Sequence, residues 1–234
     1  MTGIAPPATM RSRLSDRKTA GVSTSTRSDM VRDQGRPRRV LVAGMPRSGS
    51  TWLFNAARLL CAHSGQGVQA VWVDDYDPAD IRPMHLVKVH RPEQADTLPF
   101  LPDRILTTWR PYEACLASLV RIGWLNPDPD AVRARYASQK TIYEDWAERS
   151  DLEIDHADIV AEPAAALAKL SRSLGQADDP LRNLDIGEAL GNMKPPEDGP
   201  FDKVTLLHPR HRKHQGEVTK TTPKDILRVL EGHS

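Results

Sequence analysis

The sequence has little of several things. Phe, Trp and Tyr make up only 5% of its 234 residues. No stretch approaches the roughly 20 consecutive apolar residues of a membrane span. Cysteine occurs twice, as Cys61 and Cys115, each inside an apolar, helix-like stretch. Two such thiols read as buried and reduced rather than as a disulfide, which points to a reducing compartment. Neither sign of charge is in excess: 32 Lys and Arg against 31 Asp and Glu leave +1. A protein coating DNA or RNA carries a broad basic surplus, so no nucleic acid is expected as partner. The N-terminus lacks the roughly 7–15-residue apolar core of a secretory signal, which makes the expected location cytoplasmic. No His, Cys and carboxylate cluster has metal-ligand spacing, so no metal is expected. What remains, 39% hydrophobic and 27% charged, is the composition of an ordinary globular domain.

The charge is unevenly spread. Within residues 1–39, nine basic residues against three acidic ones give +6, and the remainder holds 23 against 28, or −5. The tail has no aromatic residue and ten Ser or Thr. It cannot bury enough apolar surface to offset its chain entropy, so residues 1–38 are expected to be a disordered basic tail ahead of one domain, 39–234. Its Arg- and Ser-rich composition also fits an organellar transit peptide, the lesser reading because no amphipathic helix is evident in it.

From Arg39 the texture changes. Val40-Leu41-Val42-Ala43, followed by Gly44, reads as a buried strand, and residues 50–63 as a helix with Leu53, Ala56, Leu59 and Leu60 on its apolar side. Further strands are expected near 68–73, 85–89, 104–109 and 152–154. Helices are expected from Pro111, over 129–149 and over 162–174. The alternation predicts an α/β fold of three layers around a central, mostly parallel sheet.

Val40 to Trp52, VLVAGMPRSGSTW, carries the most chemistry. A buried strand enters a loop with Gly44 and Gly49, and the loop opens a helix through Ser50 and Thr51. That geometry aims free backbone N–H groups and the positive helix end at an anion. Ser48, Ser50 and Thr51 add hydroxyl donors, and Arg47 adds a planar cation suited to phosphate or sulfate oxygens. Gly44 to Thr51 has the spacing of the P-loop pattern GxxxxGK[ST], but Ser50 stands where the lysine belongs. A P-loop nucleotide-dependent kinase is therefore the alternative reading rather than the first.

With Arg47 ahead of the second glycine, Pro46 to Trp52 resembles the 5′-phosphosulfate loop of the sulfotransferases, at every position of that motif. Those enzymes use 3′-phosphoadenosine 5′-phosphosulfate (PAPS) and release 3′-phosphoadenosine 5′-phosphate (PAP). The resemblance implies a P-loop-like sulfotransferase fold in which Arg47, Ser48, Gly49, Ser50 and Thr51 hold the 5′ group and Trp52 packs near the adenine. It also singles out Arg110, at the end of a strand, and Ser118 eight residues on, as the 3′-phosphate pair. A guanidinium at the carboxyl end of a parallel strand is independently where open α/β sheets bind ligands. Lys88-Val89-His90 resembles the family's K-x-H element. Two residues apart in extended chain, Lys88 and His90 share a face. His90 would then be the base for the acceptor, and Lys88 and Arg47 would steady charge. Arg212-Lys213 resembles, loosely, the segment that closes over the 3′-phosphate, and His156 stands where relatives often have a tyrosine near the adenine.

The expected activity is sulfuryl transfer from PAPS to a hydroxyl or amine of a small-molecule acceptor, with a non-catalytic nucleotide-binding module as a further alternative. The segments near 65–82, 92–102, 120–135 and 190–208 are expected to wall the acceptor, and Trp72, Tyr76, Phe100, Trp124 and Leu125 lie there, each equally plausible as core. Asp74 and Asp75 are read as a turn, or as a backup base.

Overall fold

A computed structural model describes residues 36–211 and 221–232. The expected disordered tail, apart from its last residues, and the candidates Arg212 and Lys213 lie outside the described residues.

Among the described residues five strands form one sheet: β1 (Arg38–Ala43), β2 (Val68–Trp72), β3 (Met84–Lys88), β4 (Arg104–Trp109) and β5 (Leu152–Asp155). Their order is β2-β3-β1-β4-β5, and every neighbouring pair is parallel, so the sheet is wholly rather than mostly parallel. Parallel pairing needs crossover helices, and the chain supplies α1 (Ser50–His63), α2 (Pro92–Asp96), α3 (Tyr112–Arg121), α4 (Pro129–Arg149), α5 (His156–Ala161), α6 (Pro163–Ser173), α7 (Pro180–Asn192) and α8 (Pro223–Leu230). Local signals set their starts. Proline opens α4, α6, α7 and α8, where its missing N–H is no loss, and the Asp128 and Asp179 side chains accept the first free amides of α4 and α7.

Alternation along β1 divides the core. Val40 and Val42 face α1, α6 and α7, packing with Leu53, Phe54, Leu60, Leu86 and Leu167. Leu41 and Ala43 face the other way, onto Val87, Cys115, Ile142 and Trp146. Both sheet faces are thus covered, which gives the three layers and explains why β1 reads as an unbroken apolar run. Each fully buried Leu or Phe here contributes roughly 1.5–3 kcal/mol. Both cysteines are free and buried, and burial pushes the Cys61 thiol up to about 11 and that of Cys115 up to about 12. Among the described residues no helix is long and apolar enough to cross a membrane.

Two boundaries differ from the sequence expectation in a way that matters. Pro111 is the cap of α3 rather than its first residue. β3 ends at Lys88, so His90 lies beyond the strand. The connection from β1 runs through α1 to one side of the sheet and that from its neighbour β4 through α3 to the other, so the carboxyl ends of β1, β3 and β4 frame a crevice, the usual ligand position in an open α/β sheet.

Candidate active site

The loop after β1 is built from uncommon backbone. Gly44 and Gly49 have φ of 144° and 110°, and Arg47, which is not glycine, has φ of 72°. A Cβ on Gly49 would stand 3.3 Å from Cδ2 of His156, and one on Gly44 3.2 Å from Oγ of Ser48, so the two glycines answer both conformation and space. Arg47 is held in its strained state from several sides. Nε2 of Gln139 donates to the Pro46 carbonyl at 3.0 Å, Nη1 of Arg110 to the Arg47 carbonyl at 3.2 Å, and Nε of Arg47 to Oγ of Ser118 at 3.0 Å. Helix α1 then begins without a side-chain cap and without an acidic residue in its first turn. Its leading N–H groups and its positive end are left for an anion.

Lys88, the last residue of β3, pairs in register with Val42. Its ammonium donates to Oγ1 of Thr51 at 2.5 Å. Burial, and then the nearby Arg47 charge, lowers its pKa to about 7. Burial first, then Arg110, also lowers the pKa of Arg47.

His90 is oriented by main chain. Its Nδ1 lies 2.8 Å from the carbonyl oxygen of Gly44. A carbonyl only accepts, so Nδ1 carries the hydrogen and Nε2 keeps its lone pair. The indole N–H of Trp146 donates to the His90 carbonyl at 2.9 Å, and the Trp72 ring meets the imidazole edge-on at 5.2 Å. Burial, followed by the Lys88 charge, pushes the His90 pKa down to about 3, so the ring is neutral.

These groups border one cavity of ≈ 400 Å³. The expected residues Arg47, Gly49, Ser50, Thr51, Trp52, Lys88, His90 and Arg110 all line it, as does His156. Two expected ligands do not. Ser118 is buried behind Arg47, its hydroxyl taken by that guanidinium, and Ser48 is buried against Oγ1 of Thr108 at 2.7 Å. Of the candidate acceptor walls, Trp72 and Trp124 border the cavity. Tyr76 and Phe100 instead stack edge-on in the core on the α4 side of the sheet, and Leu125 packs against α3 and α8. Asp74 and Asp75 sit in a 3-10 turn and face away: Asp74 accepts from Trp72 Nε1 and Asp75 pairs with Lys203.

The segment 190–208, expected as one of the acceptor walls, supplies Leu190, Met193, Phe201, Leu206, Leu207 and His208, whereas sequence reasoning missed Asn55 and His211. Asn55 looks like one more residue of α1, yet its amide donates to the carbonyls of Thr51 and of Thr205, tying the phosphate-loop helix to that wall. The run His208-Pro209-Arg210-His211 was the only local signal for the histidines.

No family model matches the chain, and no curated protein matches it in sequence. Solved structures do match in shape. Mouse sulfotransferase SULT7A1, complexed with PAP, superposes with a TM-score of 0.57 at 14% identity, over 84% of this chain and 82% of that one. Retinol dehydratase, in complex with androsterone and PAP, gives a TM-score of 0.46 at 14% identity, over 67% of this chain and 66% of that protein, just under two thirds of its length. The wholly parallel sheet, the glycine-bounded loop after its central strand and the match to SULT7A1 together show that this chain has the sulfotransferase fold.

Proposed function

We propose that the protein transfers a sulfuryl group from PAPS to a hydroxyl or amine of a small acceptor. One observation carries the reading. A neutral His90 with a free Nε2, the Lys88 ammonium, the Arg47 guanidinium and the uncapped start of α1 border a single cavity. The donor set fits the nucleotide. Two glycines leave room that a Cβ would fill, and Arg47, Lys88 and the α1 amides suit the 5′-phosphosulfate. Arg110 suits the 3′-phosphate, and Trp52 and His156 offer flat surfaces for the base. When bound, PAPS supplies the sulfuryl group.

The chain's own work is positioning and charge. Nε2 of His90 accepts the proton that the acceptor oxygen or nitrogen gives up as its bond to sulfur forms. Lys88 and Arg47 offset the charge left on the phosphate oxygen as its bond to sulfur breaks. The low basicity of His90 is partly the work of Lys88, and an anion beside Lys88 removes that part, so the base strengthens when the donor is bound.

The test is transfer of labelled sulfate from PAPS to an acceptor panel, with PAP binding followed by calorimetry. His90→Ala should lower kcat by about 100- to 10,000-fold and leave PAP affinity within about twofold. Undiminished transfer by that variant would refute the assigned base. Tight PAP binding by the wild type with no transfer to any acceptor would make the chain a binding module.

A further inference from the structure

Within the cavity wall, His208 and His211 are arranged oppositely to His90. The backbone N–H of Arg210 points at Nδ1 of His208 and the backbone N–H of His208 at Nδ1 of His211, each at 3.1 Å. An N–H only donates, so both Nδ1 atoms accept, and in the neutral rings both hydrogens sit on Nε2. Protonating the His211 ring would set N–H against N–H, so its geometry favours the neutral, donating form. The direction of the His211 shift agrees: burial, then Arg47 and Lys88, drives its pKa down to about 3. Neither Nε2 has a partner among the described residues. The Trp124 ring meets both imidazoles edge-on, at 5.2 and 5.5 Å, and Nη1 of Arg210 ties the turn to the Gly123 carbonyl at 3.0 Å.

A second observation concerns what the cavity lacks. Among its described lining residues there are two arginines, a lysine and four histidines, but no Asp or Glu. Beside these residues a protonated amine would lose hydration and meet two guanidiniums and an ammonium with no carboxylate to pair with.

With Arg47, Lys88 and the α1 start assigned to one end of the nucleotide and Arg110 to the other, the wall of Trp124, His208 and His211 is left for the acceptor. We propose that His208 and His211 are specificity-determining residues whose two Nε2–H groups donate to an oxygen acceptor group, a carboxylate best, carried by a flat hydroxyl-bearing acceptor stacked on Trp124. The inference rests on the transferase reading and narrows it to acceptors that carry an oxygen acceptor group. A hydrogen bond to a charged oxygen is stronger than one to a neutral group, and the preference for a carboxylate should be about tenfold or more in Kd.

The experiment is calorimetric binding of three naphthols of one shape to the full-length protein with PAP present in excess. The three are 2-naphthol, 6-hydroxy-2-naphthoate and 6-aminomethyl-2-naphthol, the last as its ammonium form. The expected order is naphthoate tightest and ammonium weakest. His208→Phe with His211→Phe should erase the naphthoate advantage while 2-naphthol affinity stays within about twofold, and His211→Gln, which keeps an N–H donor, should restore part of it. Circular dichroism and the urea midpoint establish that each variant is folded. If the phenylalanine pair proves unfolded, His208→Leu with His211→Leu serves for the same comparison. Equal binding of naphthoate and naphthol by the wild type overturns the proposal. So does a double variant that keeps the advantage, or one whose loss is in PAP affinity, which would assign the pair to the nucleotide. PAP binding without naphthoate preference sinks this inference alone. Preference without PAP binding sinks the transferase reading and leaves the histidine assignment standing.

Discussion

Lys88 supplies a sharp test because its chemistry is poised at neutrality. The side chain is 3% exposed, and burial followed by the Arg47 charge brings its pKa from 10.5 to about 7. At pH 7, about half of the free protein therefore has a neutral amine at this position. A bound bisphosphate sets anionic oxygens beside it and favours the ammonium. Binding thus takes up a proton above pH 7: affinity is full below the free-protein pKa and falls as pH rises through it. If the complex returns Lys88 to its ordinary value, the loss between pH 7 and pH 9 is about 50-fold, or ~2.3 kcal/mol. The ligand confounds this range little, since the second ionisation of a phosphate monoester is centred near pH 6 and about nine-tenths complete by pH 7. The assay is PAP titration by calorimetry at pH 7, 8 and 9 and constant ionic strength, in buffers of different ionisation enthalpy to count the protons. Lys88→Met should bind more weakly at pH 7 and lose the slope. A flat wild-type profile, or a Lys88→Met profile as steep as the wild type, would show that the buried ammonium is not part of the nucleotide site.

Two further outcomes follow from the loop and from the residues behind the base. Gly49→Ala puts a Cβ at φ of 110° and 3.3 Å from His156, which should cost about 1–3 kcal/mol. The urea midpoint should fall with m unchanged, and an unshifted midpoint would show that the loop relaxes freely. Trp146→Phe removes the indole donor from the His90 carbonyl, leaving a polar group short of a partner at roughly 1–3 kcal/mol. The loosened base should lower kcat with PAP affinity held, and an unchanged kcat would mean that the Gly44 carbonyl suffices to orient the ring.

The central strand, the phosphate loop and α1 were legible because their signals are local. An apolar run of Val40 to Ala43, a glycine at each end of the loop and a Leu and Ala face on the helix fall within two dozen residues. The starts of helices α7 and α8 are written in the chain, Asp179-Pro180 for one and Thr222-Pro223 with Asp225 completing a capping box for the other. Their apolar periods are hard to see in sequence because α7 carries few apolar residues and α8, though amphipathic, spans only eight residues. The segment 190–208 was expected at the acceptor site, but beyond α7 it carries no regular period, and only its packing over α1 through Asn55 and Thr205 decides which of its residues face the cavity.

By itself the sequence determined the layer architecture, the glycine-bounded loop and the candidate base, since strand alternation, positive φ at glycine and Lys-x-His spacing are properties of neighbours in the chain. The tertiary structure alone decided what those groups are chemically. It sets the hydrogen of His90 on Nδ1 through Gly44, 46 residues away, and makes Ser118 a brace for Arg47 across 71 residues. It also brings Lys88 near neutrality by burying it beside Arg47. Tautomer, partner and pKa are fixed by desolvation and by charges brought close in space, and those distances exist only once the sheet has assembled.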